Sequence, residues 1–74
     1  MNRKERAKEI GRRLKTLRGL IPQTKLAREL QIPYSSYRSY ESGERVPGDL
    51  LKERIASYFG KSVGEIFFPE DITK

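Results

Sequence analysis

The side chains of this 74-residue sequence that are best suited to recognising another molecule are concentrated in residues 34–42. On a helical wheel of about 100° per residue, Tyr37 and Tyr40 fall on one side. The other side carries short hydroxyls, one guanidinium and, at its shoulder, a tyrosine: Ser35, Arg38, Ser39, Ser42 and Tyr34. Small polar groups permit close approach and hydrogen bonding, which suits the edges of base pairs in the DNA major groove. The alternative is an ordinary solvated helix surface, which would also be polar.

Two short helices joined by a tight turn must position this face. The apolar residues of this region form two separate helical stripes with an interruption at residues 31–33, which predicts helices over residues 23–30 and 34–42. A proline precedes each helix and has a φ suited to a helix start. Gly43 can adopt the left-handed conformation that ends the second helix.

A basic helix is predicted over residues 3–18, because Asn2 followed by Glu5 is the pattern of a capping box. Its apolar stripe is narrow: Ala7, Ile10, Leu14 and Leu17. After the helix, Leu20 and Ile21 are expected to tuck beneath the turn as core.

The net charge of +6 is concentrated in residues 1–22, where eight Arg and Lys residues face two Glu residues. A basic patch beside a candidate recognition helix favours a polyanionic partner. Two alternatives are a solvated face that confers solubility and a docking surface for a protein or an anionic membrane.

Two more helices complete an all-α chain with a single predicted domain at residues 1–74. Asp49 is expected to cap a fourth helix whose apolar side is Leu50, Leu51, Ile55, Ala56 and Phe59. Ser62 and Glu65 have the capping-box spacing for a short fifth helix, which Pro69 stops. Residues 69–74 are a tail.

Composition excludes several classes of chemistry. The sequence has no Cys and no His, so it lacks disulfides, thiolate metal sites, the usual zinc ligand and the commonest general base. We therefore expect no enzymatic activity, no metal and no cofactor, and nothing suggests a small-molecule ligand. No apolar run approaches the roughly 18 to 20 residues that span a bilayer, and the N-terminus has no signal-peptide segment, so a cytoplasmic location is expected.

A series of residues has the order and spacing of a known family: Gln23, Leu26, Ala27, Ile32, Tyr37, Tyr40, Glu41 and Gly43, then Arg45 and Pro47, and further matches to Phe67. Across residues 10–67 the chain resembles the Cro and phage-repressor (XRE-type) helix-turn-helix family. The resemblance implies a lambda-repressor-like DNA-binding domain of five short helices, with the helix-turn-helix from Gln23 to Gly43. It also implies a sequence-specific transcriptional regulator, a repressor of phage, plasmid or bacterial origin that acts at the bacterial nucleoid.

The resemblance also implies roles for individual residues. Base reading would fall to Tyr34, Ser35, Arg38 and Ser39. Arg38 can make a bidentate contact with guanine, or it can pair with Glu41 or reach a phosphate instead. Phosphate contacts would fall to Gln23, Arg18, Arg45 and Ser42.

A dimer on a palindromic or pseudo-palindromic operator is expected, because a single small module buries little surface on DNA. Phe67, Phe68 and Ile72 are the predicted homodimer interface, because these apolar residues exceed what a tail needs. Their alternative role is the edge of the monomer core.

Overall fold

The computed structural model describes residues 2–68, and these residues form five helices. They are α1 (Arg3–Arg18), α2 (Gln23–Glu29), α3 (Tyr34–Ser42), α4 (Asp49–Phe59) and α5 (Val63–Phe67). No strand occurs in this part of the chain. The all-α fold class is confirmed, and α2 and α3 form the expected helix-turn-helix, with α2 ending one residue earlier than predicted.

Both predicted capping boxes are present. The Asn2 side chain accepts a hydrogen bond from the Glu5 backbone N–H at 2.8 Å, and the Glu5 carboxylate accepts one from the Asn2 backbone N–H at 3.2 Å. Ser62 and Glu65 repeat this arrangement at the start of α5. The capping role predicted for Asp49 is wrong: Gly48 is the N-cap of α4, and Asp49 is the first helical residue, where a carboxylate can still interact with the helix dipole.

The core is a single cluster to which every helix contributes. Its buried residues are Ile10, Leu14, Leu26, Ala27, Leu30, Tyr37, Tyr40, Ile55, Ala56, Ile66 and Phe67. Tyr37 and Tyr40 keep 0% and 8% of their surface exposed, so their predicted core position is confirmed. The apolar stripe of α1 is used in this cluster and is not left on the surface.

Two apolar residues expected in the core are on the surface instead. Leu20 is fully exposed, because Ile21 closes the turn through its N–H to the Arg18 carbonyl and packs on the core alone. Leu50 is 80% exposed. On the wheel of α4, Leu50 lies about 140° from the buried Ile55, so it falls outside the stripe that faces the core.

The helices α1 and α3 cross in direct backbone contact. A Cβ atom built on Gly11 would lie 2.2 Å from the Glu41 carbonyl oxygen, and one built on Gly43 would lie 3.0 Å from the Lys8 Cα. Only a residue without a side chain allows the first of these approaches. The crossing therefore fixes where α3 sits relative to the basic helix α1.

No helix in the described part of the chain has the length and apolar character needed to cross a bilayer.

Candidate nucleic-acid interface

The outward face of α3 is formed by the four residues that the sequence assigned to base reading. We call Tyr34, Ser35, Arg38 and Ser39 the α3 face. Ser35 and Arg38 are exposed, Tyr34 keeps 43% of its surface exposed, and Ser39 is half-buried. Within residues 2–68 Arg38 has no ion-pair partner, so the alternative pairing with Glu41 is not seen. The guanidinium is available to an external ligand.

Ser39 has a defined hydrogen-bonding polarity. Its hydroxyl donates to the Ser36 carbonyl at 2.7 Å and accepts from Arg45 Nε at 3.1 Å. One lone pair remains, so Ser39 presents an acceptor to any ligand on this face. The Arg45 guanidinium also lies over the Tyr40 ring at 5.3 Å, which holds it beside α3.

Beneath the α3 face lies a buried carboxylate, Glu41, whose side chain keeps only 6% exposure. Arg18 of α1 donates to it through Nε at 2.6 Å and through Nη2 at 3.2 Å. Gln23 Nε2 of α2 donates at 2.9 Å, and the Tyr37 hydroxyl donates at 2.6 Å. These four residues, here called the Glu41 network, join three helices at one carboxylate.

The protonation states of the Glu41 network follow from these contacts. Burial alone would raise the pKa of Glu41, but the hydrogen bonds from Arg18, Tyr37 and Gln23 outweigh burial and hold this pKa below its usual value of 4.5. The hydrogen bond to Glu41 raises the pKa of Arg18 above its usual value. Burial raises the pKa of Tyr37, so its hydroxyl stays protonated as a donor. Arg18 and Glu41 are therefore both charged at neutral pH.

A family model described as Helix-turn-helix, of the Cro/C1 (XRE) type, matches residues 12–66. This span covers more than half of the chain and contains the Glu41 network and the whole α3 face. The chain belongs to the Cro/C1-type helix-turn-helix family, a family of DNA-binding regulators. No curated protein and no solved structure matches the chain.

In this Cro/C1-type domain, Arg18 and Gln23 are used inside the protein. The Arg18 side chain is 15% exposed and also donates to the Ile21 carbonyl at 2.8 Å. Its guanidinium thus joins α1 to α3 and to the turn before α2, and its phosphate contact stays a prediction. Gln23 is half-buried, with its Oε1 accepting from the Tyr34 hydroxyl at 3.4 Å. Its phosphate contact stays a prediction.

The two other residues assigned to phosphate contacts, Ser42 and Arg45, are exposed next to the α3 face. The Ser42 hydroxyl lies 3.1 Å from the Ser39 carbonyl and 2.9 Å from a Glu44 carboxylate oxygen. The side chains of this end of the domain are thus accessible to a ligand that lies against α3.

The dimer-interface assignment needs one correction. Phe67 is 1% exposed in the monomer, so it has almost no surface left to bury against a second copy. Phe68 is half-buried, with Arg6 and Lys52 lying 5.9 Å and 5.1 Å from its ring centroid. Ile72 lies outside the described residues. For Phe67 the alternative role in the monomer core is the one that the structure shows.

Sequence reasoning missed the Glu41 network and the close approach at Gly11. Arg18 and Glu41 were both noted as residues that match the family, but they are 23 residues apart in sequence and nothing in their spacing pairs them. Residues 2–68 contain no cluster of three or more acidic side chains that could hold a metal ion.

Proposed function

We propose that this Cro/C1-type helix-turn-helix protein is a sequence-specific transcriptional repressor that binds a two-fold-symmetric DNA operator as a homodimer. The observation that carries the proposal is the α3 face, which offers an accessible guanidinium and small hydroxyls on a helix supported from below by a buried ion pair. A helix of this size fits the major groove of B-DNA, and its rigid support keeps the side chains in register with the bases.

Each residue of the α3 face has a distinct task in this proposal. Arg38 donates two hydrogen bonds to O6 and N7 of a guanine. Ser39 accepts from an exocyclic amine, N6 of adenine or N4 of cytosine, because its own proton is already given to the Ser36 carbonyl. The exposed ring of Tyr34 packs against a thymine methyl group, and Ser35 lies beside it at the N-terminal end of α3.

Contacts to the DNA backbone would hold the domain in register. Arg45 is exposed beside the α3 face, so it is a direct phosphate ligand, together with Gln23 at the start of α2. Ser42 joins them by turning its hydroxyl proton from Glu44 to a phosphate oxygen. Arg18 acts through Gln23, because both side chains share the Glu41 carboxylate.

Homodimer formation follows from the size of the module, since one such domain buries too little DNA surface for useful affinity. Two copies related by a two-fold axis would place their α3 helices in successive major grooves, about 34 Å apart. Bound near a promoter in the cytoplasm of its cell, at the nucleoid, the dimer would block RNA polymerase.

The burial of the apolar stripe of α1 in the core disfavours the alternative role of α1 as a membrane-docking helix. Ile10 and Leu14, the centre of its apolar stripe, are 0% exposed. An anionic membrane would meet mostly charged groups on α1, without the broad apolar face that inserts into the interface.

In vitro selection of bound duplexes from a random library, followed by sequencing, tests the proposal. We expect a palindromic consensus with half-sites about one helical turn apart. Selection with an R38A/S39A variant should lose the consensus, while R12A, which removes an exposed arginine from α1, should keep it. A library that is not enriched by the wild-type protein, or a consensus unchanged by R38A/S39A, would refute a role for α3 in specific reading.

A further inference from the structure

A second basic surface lies beside the α3 face, in a groove of about 610 Å³ between α1 and the loop that follows α3. We call this the basic groove. Its lining residues are Arg3, Lys4, Ala7, Lys8, Ser42, Gly43, Glu44, Arg45 and Val46. Four cations and one carboxylate line it, so its charge is strongly positive. The one carboxylate in the lining, that of Glu44, accepts a hydrogen bond from the Ser42 hydroxyl at 2.9 Å.

The position of the basic groove is fixed by backbone packing. The Gly43 position lies within 3.0 Å of Lys8, as measured from a Cβ built on the glycine, so the first turns of α1 are adjacent to the end of α3. Ser42 and Arg45 belong both to this groove and to the proposed phosphate contacts. The groove is therefore continuous with the proposed DNA surface.

Some cations of α1 form an ion pair, and others have no ion-pair partner among residues 2–68. Arg12 and Arg13 pair with Glu9. One and two turns nearer the start of α1 than Arg12, Lys8 and Lys4 are exposed and have no ion-pair partner among residues 2–68. Arg3, at the mouth of the basic groove, has none in that range either. Because Arg3, Lys4 and Lys8 are exposed and form no ion pair with a carboxylate of residues 2–68, their charges are available to an external polyanion.

The family match does not account for this group. It begins at residue 12, after Arg3, Lys4 and Lys8. Their placement beside α3 follows from α1, which begins at Arg3.

We propose that the basic groove binds the phosphate backbone of DNA that flanks the bases read by α3, with Lys4 and Lys8 as the principal ligands. This inference rests on the proposed function, because it places the duplex against α3. The flanking duplex continues past the end of α3, where Arg45 already meets the backbone, and the groove extends this contact along the strand. It recognises charge and backbone shape and carries no sequence preference.

The experiment compares K4A/K8A with the wild type on two duplexes that share the selected operator. The short duplex ends at the last selected base pair, and the long duplex adds about one helical turn on each side. On the long duplex, loss of two phosphate contacts per domain should lower the slope of log K against log salt by about 1.8 per domain. If affinities converge at 1 M salt, this slope change corresponds to about a 60-fold weaker affinity per domain at 0.1 M salt, or about 4,000-fold for a dimer with both domains bound. On the short duplex the variant should match the wild type.

Two control variants separate contact from general attraction. K61A removes a charge of the same type from the groove on the opposite side of α1 and should leave both affinities unchanged. K4R/K8R keeps the charge and should retain wild-type affinity on the long duplex. Circular dichroism should show the same helix content in every variant, because Lys4 and Lys8 are exposed.

The outcomes of this experiment distinguish the two proposals. Equal affinity of K4A/K8A and wild type on the long duplex overturns the basic groove while specific reading by α3 stands. Equal losses on both duplexes, or an equal loss with K61A, overturn it too, because they indicate only long-range attraction. If the wild-type protein enriches no consensus, the proposed function fails. The salt slope of K4A/K8A on a random-sequence duplex then still decides whether the groove contacts phosphates.

Discussion

Replacing Glu41 with Gln removes one charge from the centre of the Glu41 network while keeping the size of the side chain. Four hydrogen bonds from three residues end on this carboxylate, and within residues 2–68 none of the donors is bonded to another carboxylate. The glutamine has only one acceptor oxygen, and its NH2 group faces donors that it cannot satisfy. The Arg18 guanidinium is left without its counter-ion.

The magnitude follows from the burial of the ion pair. Loss of one partner of a fully buried pair costs about 3 to 5 kcal/mol. Arg18 keeps 15% and Glu41 keeps 6% of their side-chain exposure, so water reaches the stranded guanidinium in part. We therefore expect E41Q to lower the free energy of unfolding by about 3 kcal/mol, at the low end of that range. For a domain of this size, this corresponds to a fall in Tm of about 12 to 24 °C.

Urea denaturation followed by circular dichroism, at low temperature and neutral pH, measures this loss. E53Q is the matched control, because Glu53 is an exposed carboxylate on α4, and its stability should stay within about 0.5 kcal/mol of the wild type. In a double-mutant cycle, R18M/E41Q should lower the free energy of unfolding by about 2 kcal/mol less than the sum of the losses in R18M and E41Q. In the double variant neither charge is left buried without its partner.

The pH dependence has a definite sign. Since the pKa of Glu41 in the folded protein lies below 4.5, its ionisation stabilises the fold above that pH, and this contribution is lost as the pH falls through the lower folded value. The difference between wild type and E41Q should therefore be largest at neutral pH and narrow in acid below about pH 4.5. A difference under about 0.5 kcal/mol at neutral pH, or one that does not narrow in acid, would refute the reasoning.

Three further substitutions test other parts of the structure. R38A should weaken operator binding by about 1 to 3 kcal/mol and relax preference at one base pair; competition binding against single-base variants measures this, and a uniform loss at all positions would assign Arg38 to a phosphate instead. R45A should lower the salt slope by about 0.9 per domain in binding titrations, and an unchanged slope would remove Arg45 from the phosphate contacts. G11A should lower the free energy of unfolding by about 2 kcal/mol despite a better helix propensity, because the new Cβ would meet the Glu41 carbonyl oxygen at 2.2 Å. G64A is its control, since that Cβ would have no neighbour nearer than 3.9 Å, and equal stability of the two variants would contradict the close approach.

The arrangement also explains how a domain this small holds α3 in place. The α3 helix has only nine residues and its N-cap, Pro33, provides no side-chain hydrogen bond. Such a helix is unstable alone in water. Tyr37 and Tyr40 anchor it in the core, and Glu41 ties its last turn to α1 and α2. Stability of the core and orientation of the α3 face are thus properties of the same three helices.

Local signals in the sequence were sufficient for the elements of the fold. Helical periodicity, two capping boxes and the glycines that end helices act over three or four residues, so they located α1, α3 and α5 within a residue or two. The outward position of Ser35 and Arg38 followed from the same periodicity, because the opposite side of α3 had to be buried. The family resemblance is confirmed over residues 12–66.

Local signals failed where the outcome depends on distant neighbours. Leu20 and Leu50 are apolar and lie beside core residues in sequence, yet the packing of other helices leaves them in water. Phe67 fills the monomer core, although its type alone was equally consistent with an interface. By itself, then, the sequence determined the helices, the family and the side chains exposed on α3. Only the tertiary structure decided that Arg18 faces Glu41 and that Lys4 and Lys8 lie beside the end of α3, because both depend on the close crossing of α1 and α3 at Gly11 and Gly43.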